Sequence, residues 1–121
     1  MIVYALSQQA QSDPCFNFGY RWCCGYKNIF EKEVLPFLKS ESWEPDLILI
    51  CAGYDALDSD ELASVSLQAR DFGEMTRQIL QTSQAPLVLG LEGGYQLGVQ
   101  AGSGNLADAV VATVQELVNA P

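Results

Sequence analysis

Two short loops hold the residues of this chain whose types and spacing could do chemistry. Asp55 follows the apolar run Leu47–Ala52, and Tyr95 follows the apolar run Leu87–Leu91. A carboxylate in such a position can ligate a metal ion, act as a general base or place a negative charge at a helix N-terminus. A tyrosine hydroxyl can donate a hydrogen bond to a substrate. Spacing alone favours the helix charge for Asp55, and the Gly-Gly-Tyr sequence that presents Tyr95 is equally typical of an ordinary turn.

The sequence contains no histidine, and this limits its chemistry more than any other feature of the composition. The chain alone cannot supply a Ser/His/Asp triad, a histidine general base or a histidine metal ligand. Its four cysteines include no Cys-x-x-Cys pair, which argues against a zinc ribbon and a thioredoxin motif. Any site in these 121 residues therefore has to use carboxylate, tyrosine and cysteine side chains.

Two glycine patterns partly match nucleotide-binding motifs. Residues 102–107, Gly-Ser-Gly-Asn-Leu-Ala, fit the permissive template G-x-G-x-x-A but do not directly follow an apolar strand run. Gly93 and Gly98 have the spacing of a phosphate-binding loop, but Val99 stands where that motif needs lysine. We predict no nucleotide cofactor.

The elements that precede the two loops must position them. Leu47–Ala52 and Leu87–Leu91 are apolar without alternation, which is typical of parallel strands buried on both faces. Between them, Phe72, Met75 and Ile79 recur at helical spacing. Strand, helix and strand in this order predict a right-handed βαβ unit. Because parallel sheets bind ligands beyond the carboxyl ends of their strands, we expect both loops at one edge.

Further helices are predicted on either side of this unit. One begins at Asn28 and the last covers Leu106 to Val118, since apolar residues recur there at three and four. Residues 1–27 show neither helical nor strand periodicity and are predicted to be irregular. The expected fold class is α/β, with parallel strands and flanking helices in a single domain, because 121 residues are too few for two.

The charge and hydropathy of the chain exclude some partners. The net charge of −9 argues against nucleic acid, because phosphate binding needs a basic surface. No apolar stretch approaches the ~20 residues of a membrane span, and the first residues lack the pattern of a signal peptide. We expect no membrane association and an intracellular location, with the compartment left open.

Three stretches form a specific combination. They are Pro-Asp-Leu-Ile-Leu-Ile-Cys-Ala-Gly-Tyr-Asp-Ala at residues 45–56, Asp-Glu-Leu-Ala at 60–63 and Leu-Gly-Leu-Glu-Gly-Gly-Tyr-Gln-Leu at 89–97. Together they resemble the C-terminal portion of the zinc-dependent histone deacetylase family, in the class II-like branch that includes acetylpolyamine amidohydrolases. The resemblance covers residues 28–121 and implies one partial domain of the arginase–deacetylase fold.

The resemblance also implies roles for individual residues. Asp55 matches the second aspartate that ligates zinc, and Tyr95 matches the tyrosine that hydrogen-bonds the scissile carbonyl. Gly93 and Gly94 match the turn that shapes the acyl-lysine channel. The family hydrolyses acetyl-lysine or acetylpolyamine amides with zinc, a histidine pair that moves the proton, and this tyrosine. These substrates and this metal are therefore the expected partners and cofactor of the intact domain.

This sequence departs from the family pattern because the Asp-x-His and His-His motifs are absent. Three origins stay open: a truncated gene product, a split or degenerate paralogue that acts through a partner, and a small protein similar in structure only. The first is favoured, because two motifs are intact while the others are missing as a block. We predict a chain that is inactive alone and self-associates through uncovered apolar surface. The alternative function is a non-catalytic interaction module.

Overall fold

A mixed four-stranded sheet with helices packed on one face forms the framework of the protein. The computed structural model describes residues 2–6, 15–17, 23–40, 44–62, 65–98, 102 and 104–120. The strands are β1 (Ile2–Leu6), β2 (Cys15–Asn17), β3 (Leu47–Ala52) and β4 (Leu87–Leu91), in the spatial order β2, β1, β3, β4. The α-helices are α1 (Cys23–Ile29), α2 (Leu35–Leu38), α3 (Ala69–Thr82) and α4 (Leu106–Asn119).

The predicted βαβ unit is confirmed. β3 and β4 pair in parallel from Ile48 opposite Leu87 to Ala52 opposite Leu91, and α3 is the crossover between them. Asp71 caps the first turn of α3, because its Oδ2 accepts a hydrogen bond from the backbone N–H of Gln68 at 2.8 Å. Since paired parallel strands end together, the loops that follow β3 and β4 leave the sheet at the same edge.

The prediction of irregular structure for residues 1–27 is wrong for residues 2–6, 15–17 and 23–27, and the rest of that range lies outside the described residues. β1 pairs antiparallel with both β2 and β3, and α1 begins at Cys23, five residues before the predicted start at Asn28. Backbone hydrogen bonds between separate segments of the chain make these pairings, and three- and five-residue strands are too short to show a clear period.

A single line of buried side chains joins α1 to α2. Tyr26, Phe30, Val34 and Leu38 are buried and lie four residues apart, with the π-helical segment Phe30–Val34 in the middle. Four residues exceed one α-helical turn of 3.6, so such a line drifts around an α-helix, and the wider π turn offsets this drift. No helix among the described residues is long and apolar enough to cross a membrane.

The helices cover one face of the sheet. In β3, Ile48, Ile50 and Ala52 are buried in the core with residues of α1, α3 and α4. Leu47, Leu49, Cys51 and Val88 lie on the other face, and these four residues are called the open face below. The first three are half-buried, and Val88 is 53% exposed. The predicted burial of both faces is therefore seen on one face only within the part of the chain that the structure describes.

The turn after β4 packs tightly against the core. Gly94 has φ +137°, a conformation that residues with a side chain rarely adopt. A Cβ atom at Gly94 would lie 2.8 Å from Leu106 Cδ1 and 2.9 Å from Tyr54 Cβ. The backbone at this position therefore needs glycine both for its conformation and for its contacts.

Replacement of Val88 tests whether the open face drives association. We expect the chain to self-associate, because monomers rarely leave a contiguous apolar sheet face in water. Val88→Lys places a charge on that face and should shift the chain towards monomer in sedimentation velocity. Gln115→Lys, which adds the same charge at an exposed position of α4, should leave the distribution unchanged. A monodisperse wild-type monomer that melts cooperatively would contradict this expectation.

Replacement of Gly94 tests the packing of the turn. Gly94→Ala should lower the free energy of unfolding by about 2–4 kcal/mol, because backbone strain and overpacking add. Gly90→Ala is the matched control in β4, since a Cβ there would meet nothing within 4 Å, and it should change this free energy by less than about 1 kcal/mol. Denaturant titration measures both, and equal effects of the two substitutions would show that the turn is not tightly packed.

Candidate functional site

The structure brings the Asp55 loop and the Gly93 loop into direct contact. Asp55 lies in the short 3-10 turn Tyr54–Ala56 that follows β3. A Cβ atom at Gly93 would lie 3.0 Å from Asp55 Cγ and 3.1 and 3.2 Å from its two carboxylate oxygens. The carboxylate therefore packs against the Gly93 backbone, and the missing side chain of Gly93 leaves room for it. Both residues lie at the sheet edge where the sequence places them.

Tyr54 fixes the turn that carries Asp55. Its side chain is fully buried, its ring lies 4.9 Å from that of Phe72, and its hydroxyl donates to Thr113 Oγ1 at 3.0 Å. The Thr113 hydroxyl donates in turn to the carbonyl of Ala109. These contacts attach the residue before Asp55 to both α3 and α4, so the carboxylate has a rigid support.

Tyr26 is a residue of this region that sequence analysis missed. It lies on α1 and is buried, and burial together with the nearby negative charge of Asp55 raises the pKa of its phenol. Burial likewise raises the pKa of Tyr54, against the opposing effect of its hydrogen bond to Thr113. Both phenols are therefore neutral at pH 7. The four-residue spacing of Tyr26, Phe30 and Val34 was the signal that could have placed Tyr26 on a helix.

Tyr95 is held by its backbone and exposed through its side chain. Its N–H donates to Asp60 Oδ2 at 2.8 Å, and its side chain is 61% exposed. The cleft beside it has a volume of about 250 Å³ and is lined by Asp60, Glu61, Leu62, Tyr95 and Gln96. A ligand at this edge can therefore reach the phenol. The motif at residues 60–63 contains Asp60 but does not by itself indicate a role for it.

The glycines near α4 serve as a helix cap. Asp108 accepts hydrogen bonds from the N–H groups of Gly102 and Gly104, both at 2.8 Å, and from that of Asn105. The Asn105 side chain accepts from the N–H of Asp108, which completes a capping box. These bonds lower the pKa of Asp108. The N–H groups of Gly102, Gly104 and Asn105 are therefore engaged within this cap.

The described residues do not by themselves fit a zinc ion. Zinc sites in proteins use three or four ligands. Asp55 is a single carboxylate, and no group of three His, Cys, Asp or Glu side chains in the described ranges is arranged to hold a metal ion. The chain contains no histidine that could complete the set. We therefore derive no reaction step through a metal from this chain alone.

Comparison with known proteins identifies the family. The histone deacetylase domain profile matches residues 24–114. The uncharacterized protein slr0245 of Synechocystis sp. is 46% identical over 93 residues, which cover 77% of this chain and 28% of that protein. Histone deacetylase HDA1 of Saccharomyces cerevisiae is 32% identical over 94 residues, which cover 73% of this chain and 13% of that protein.

Solved structures agree with this assignment. The crystal structure of the HDA15 HD domain is 28% identical, with a TM-score of 0.64 over 85% of this chain and 27% of that chain. The histone deacetylase Clr3 is 24% identical, with a TM-score of 0.68 over 84% of this chain and 16% of that chain, which shows a shared fold. The chain thus spans less than a third of the length of each of these relatives. The matched residues include both strand-end loops, and the chain belongs to the histone deacetylase domain family.

Proposed function

We propose that this chain provides one edge of a deacetylase active site that hydrolyses acetyl-lysine or acetylpolyamine amides. One observation carries the proposal: parallel pairing of β3 and β4 packs the Asp55 carboxylate against Gly93, two residues before Tyr95. A carboxylate and a phenol on touching loops at the carboxyl ends of parallel strands suit a site that binds a metal and a polar substrate together.

Each residue has a separate task in this proposal. Asp55 would be one ligand of a zinc ion, and that ion would supply the activation of water and the polarisation of the amide carbonyl. Tyr95 donates its hydroxyl to that carbonyl oxygen as negative charge develops on it. Gly93 and Gly94 form the channel wall. Position 93 needs glycine because a side chain there would collide with Asp55, and position 94 needs glycine because other residues rarely adopt its backbone conformation.

In this proposal, polypeptide outside these 121 residues supplies the other catalytic groups. Amide hydrolysis needs a proton acceptor for water and a proton donor for the leaving amine, roles that the family gives to paired histidines. The chain has no histidine, and its relatives are more than twice as long. We propose that this chain and the polypeptide that carries the histidines together form a single domain. The isolated chain is inactive in this proposal.

The charge of the chain favours a basic substrate. The net charge is −9, and the acidic Asp60 and Glu61 line the cleft beside Tyr95. A negative surface attracts cationic molecules and raises their association rates. Acetylated lysine-rich proteins and acetylpolyamines both carry positive charges next to the acetyl group, so either substrate class fits this surface.

A non-catalytic interaction module is the second candidate. The open face and the exposed Val111, Val114 and Val118 of α4 are apolar surface suited to contacts with another protein. An interaction module needs neither the Asp55 carboxylate nor the Tyr95 hydroxyl, so substitution of these two groups separates the candidates.

A graft into an intact relative tests the proposed function. Residues 24–114 replace the matching segment of HDA1, and zinc content and hydrolysis of an acetyl-lysine peptide are measured. Asp55→Ala in the graft should abolish turnover and lower the zinc content, because a ligand is lost. Tyr95→Phe should lower kcat by about 10²–10³-fold with a smaller change in KM, because a transition-state donor is lost.

Two controls make the result decisive. Asp58→Ala removes an exposed carboxylate three positions from Asp55 and should leave both zinc content and turnover near those of the graft. The isolated 121-residue chain with added zinc should show no hydrolysis. Full activity of the Asp55→Ala graft, or zinc-dependent turnover by the isolated chain that Asp55→Ala abolishes, would contradict the proposal.

A further inference from the structure

We propose that Asp60 is a positioning residue that sets the backbone at Tyr95, the residue assigned above to the substrate carbonyl. The inference rests on that proposed function for its catalytic meaning, but its structural content stands on the contacts of Asp60 alone.

Asp60 connects two segments that are distant in sequence. One carboxylate oxygen accepts the N–H of Leu62 at 2.9 Å, and the other accepts the N–H of Tyr95 at 2.8 Å. The first bond closes the loop that contains Asp60, and the second crosses to the loop after β4, 35 residues further along. The carboxylate therefore fixes the distance between the two loops.

The burial of Asp60 is unusual for a carboxylate. The residue is only 6% exposed, and neither ion pair formed by the described residues includes it. Burial of a charged group is unfavourable unless hydrogen bonds compensate it, and bonds from N–H groups to a carboxylate are among the stronger ones. Its two N–H partners supply this compensation, so the Tyr95 bond is part of what makes the buried carboxylate stable.

Packing does not fix Tyr95. Its side chain is 61% exposed, so the core does not hold the ring, and residues 92–98 form neither helix nor strand. The loop is attached by Tyr54 N–H to the Gly93 carbonyl at 2.7 Å before Tyr95, and by Leu106 N–H to the Gln96 carbonyl at 3.0 Å after it. Between these two attachments, Asp60 bonds to the backbone N–H of Tyr95 itself. It therefore sets the backbone from which the phenol extends.

The geometry requires two acceptor oxygens on one side chain. Asparagine has the same shape but replaces one oxygen by an NH₂ group, which cannot accept from a backbone N–H. Asp60→Asn should therefore keep one of the two bonds, and Asp60→Ala should lose both. This difference distinguishes positioning by a carboxylate from simple filling of space.

Hydrogen–deuterium exchange of the 121-residue chain, read at single residues by mass spectrometry, tests the proposal. In Asp60→Ala, exchange at the amides of Tyr95 and Leu62 should accelerate at least about tenfold. In Asp60→Asn, one of the two amides should accelerate while the other stays protected. The Tyr54 amide, bonded to Gly93, is the internal control and should keep its rate in both variants. Asp58→Asn, two positions away and exposed, should change none of the three.

Each alternative outcome is distinguishable. Unchanged exchange at Tyr95 in both variants would overturn the positioning role. Equal acceleration at Tyr95, Tyr54 and the β3 amides would overturn it as well, because such a pattern reports a general loss of stability. If Asp60→Ala does not fold, the split between the two amides in Asp60→Asn decides. A graft without activity would remove the catalytic role of Tyr95 and leave this exchange result intact.

Discussion

The parallel pairing of β3 and β4 is the constraint on which the candidate site depends. Beyond the last paired residues, two further hydrogen bonds continue the connection: Glu92 N–H to the Ala52 carbonyl at 3.1 Å, and Tyr54 N–H to the Gly93 carbonyl at 2.7 Å. The second bond joins the residue before Asp55 to the residue against which its carboxylate packs. Asp55 and Gly93 therefore cannot separate without breaking the end of the sheet, and the site gains the rigidity of its strands.

Helices α3 and α4 support this edge of the sheet. Tyr54 links the strand end to α3 through Phe72 and to α4 through Thr113. Gly94 lies close to Tyr54 Cβ, so the turn before Tyr95 packs against the same buried residue. One aromatic side chain thus supports both loops, and any change that moves it will move the candidate metal ligand and the candidate hydrogen-bond donor together.

The parts of this arrangement that depend on local patterns could be predicted from sequence. Unbroken apolar runs indicated β3 and β4, helical spacing indicated α3 and α4, and their order gave the shared edge of Asp55 and Tyr95. β1 could not be predicted, because its antiparallel pairing with β3 is a backbone contact between distant segments. The same reason hid the role of Asp60, whose partner is a backbone N–H 35 residues away. Tyr26 was missed because its helix was assigned to begin at Asn28.

The central claim is that Asp55 and Tyr95 act on one substrate from two loops of one sheet edge. A crystal structure of the grafted domain with an acetyl-lysine peptide, with zinc located by anomalous scattering, tests it most directly. We predict an Asp55 carboxylate oxygen about 2.0–2.2 Å from zinc and the Tyr95 hydroxyl about 2.7–3.1 Å from the acetyl carbonyl oxygen. Zinc bound without Asp55, or a Tyr95 hydroxyl directed away from that oxygen, would contradict the claim.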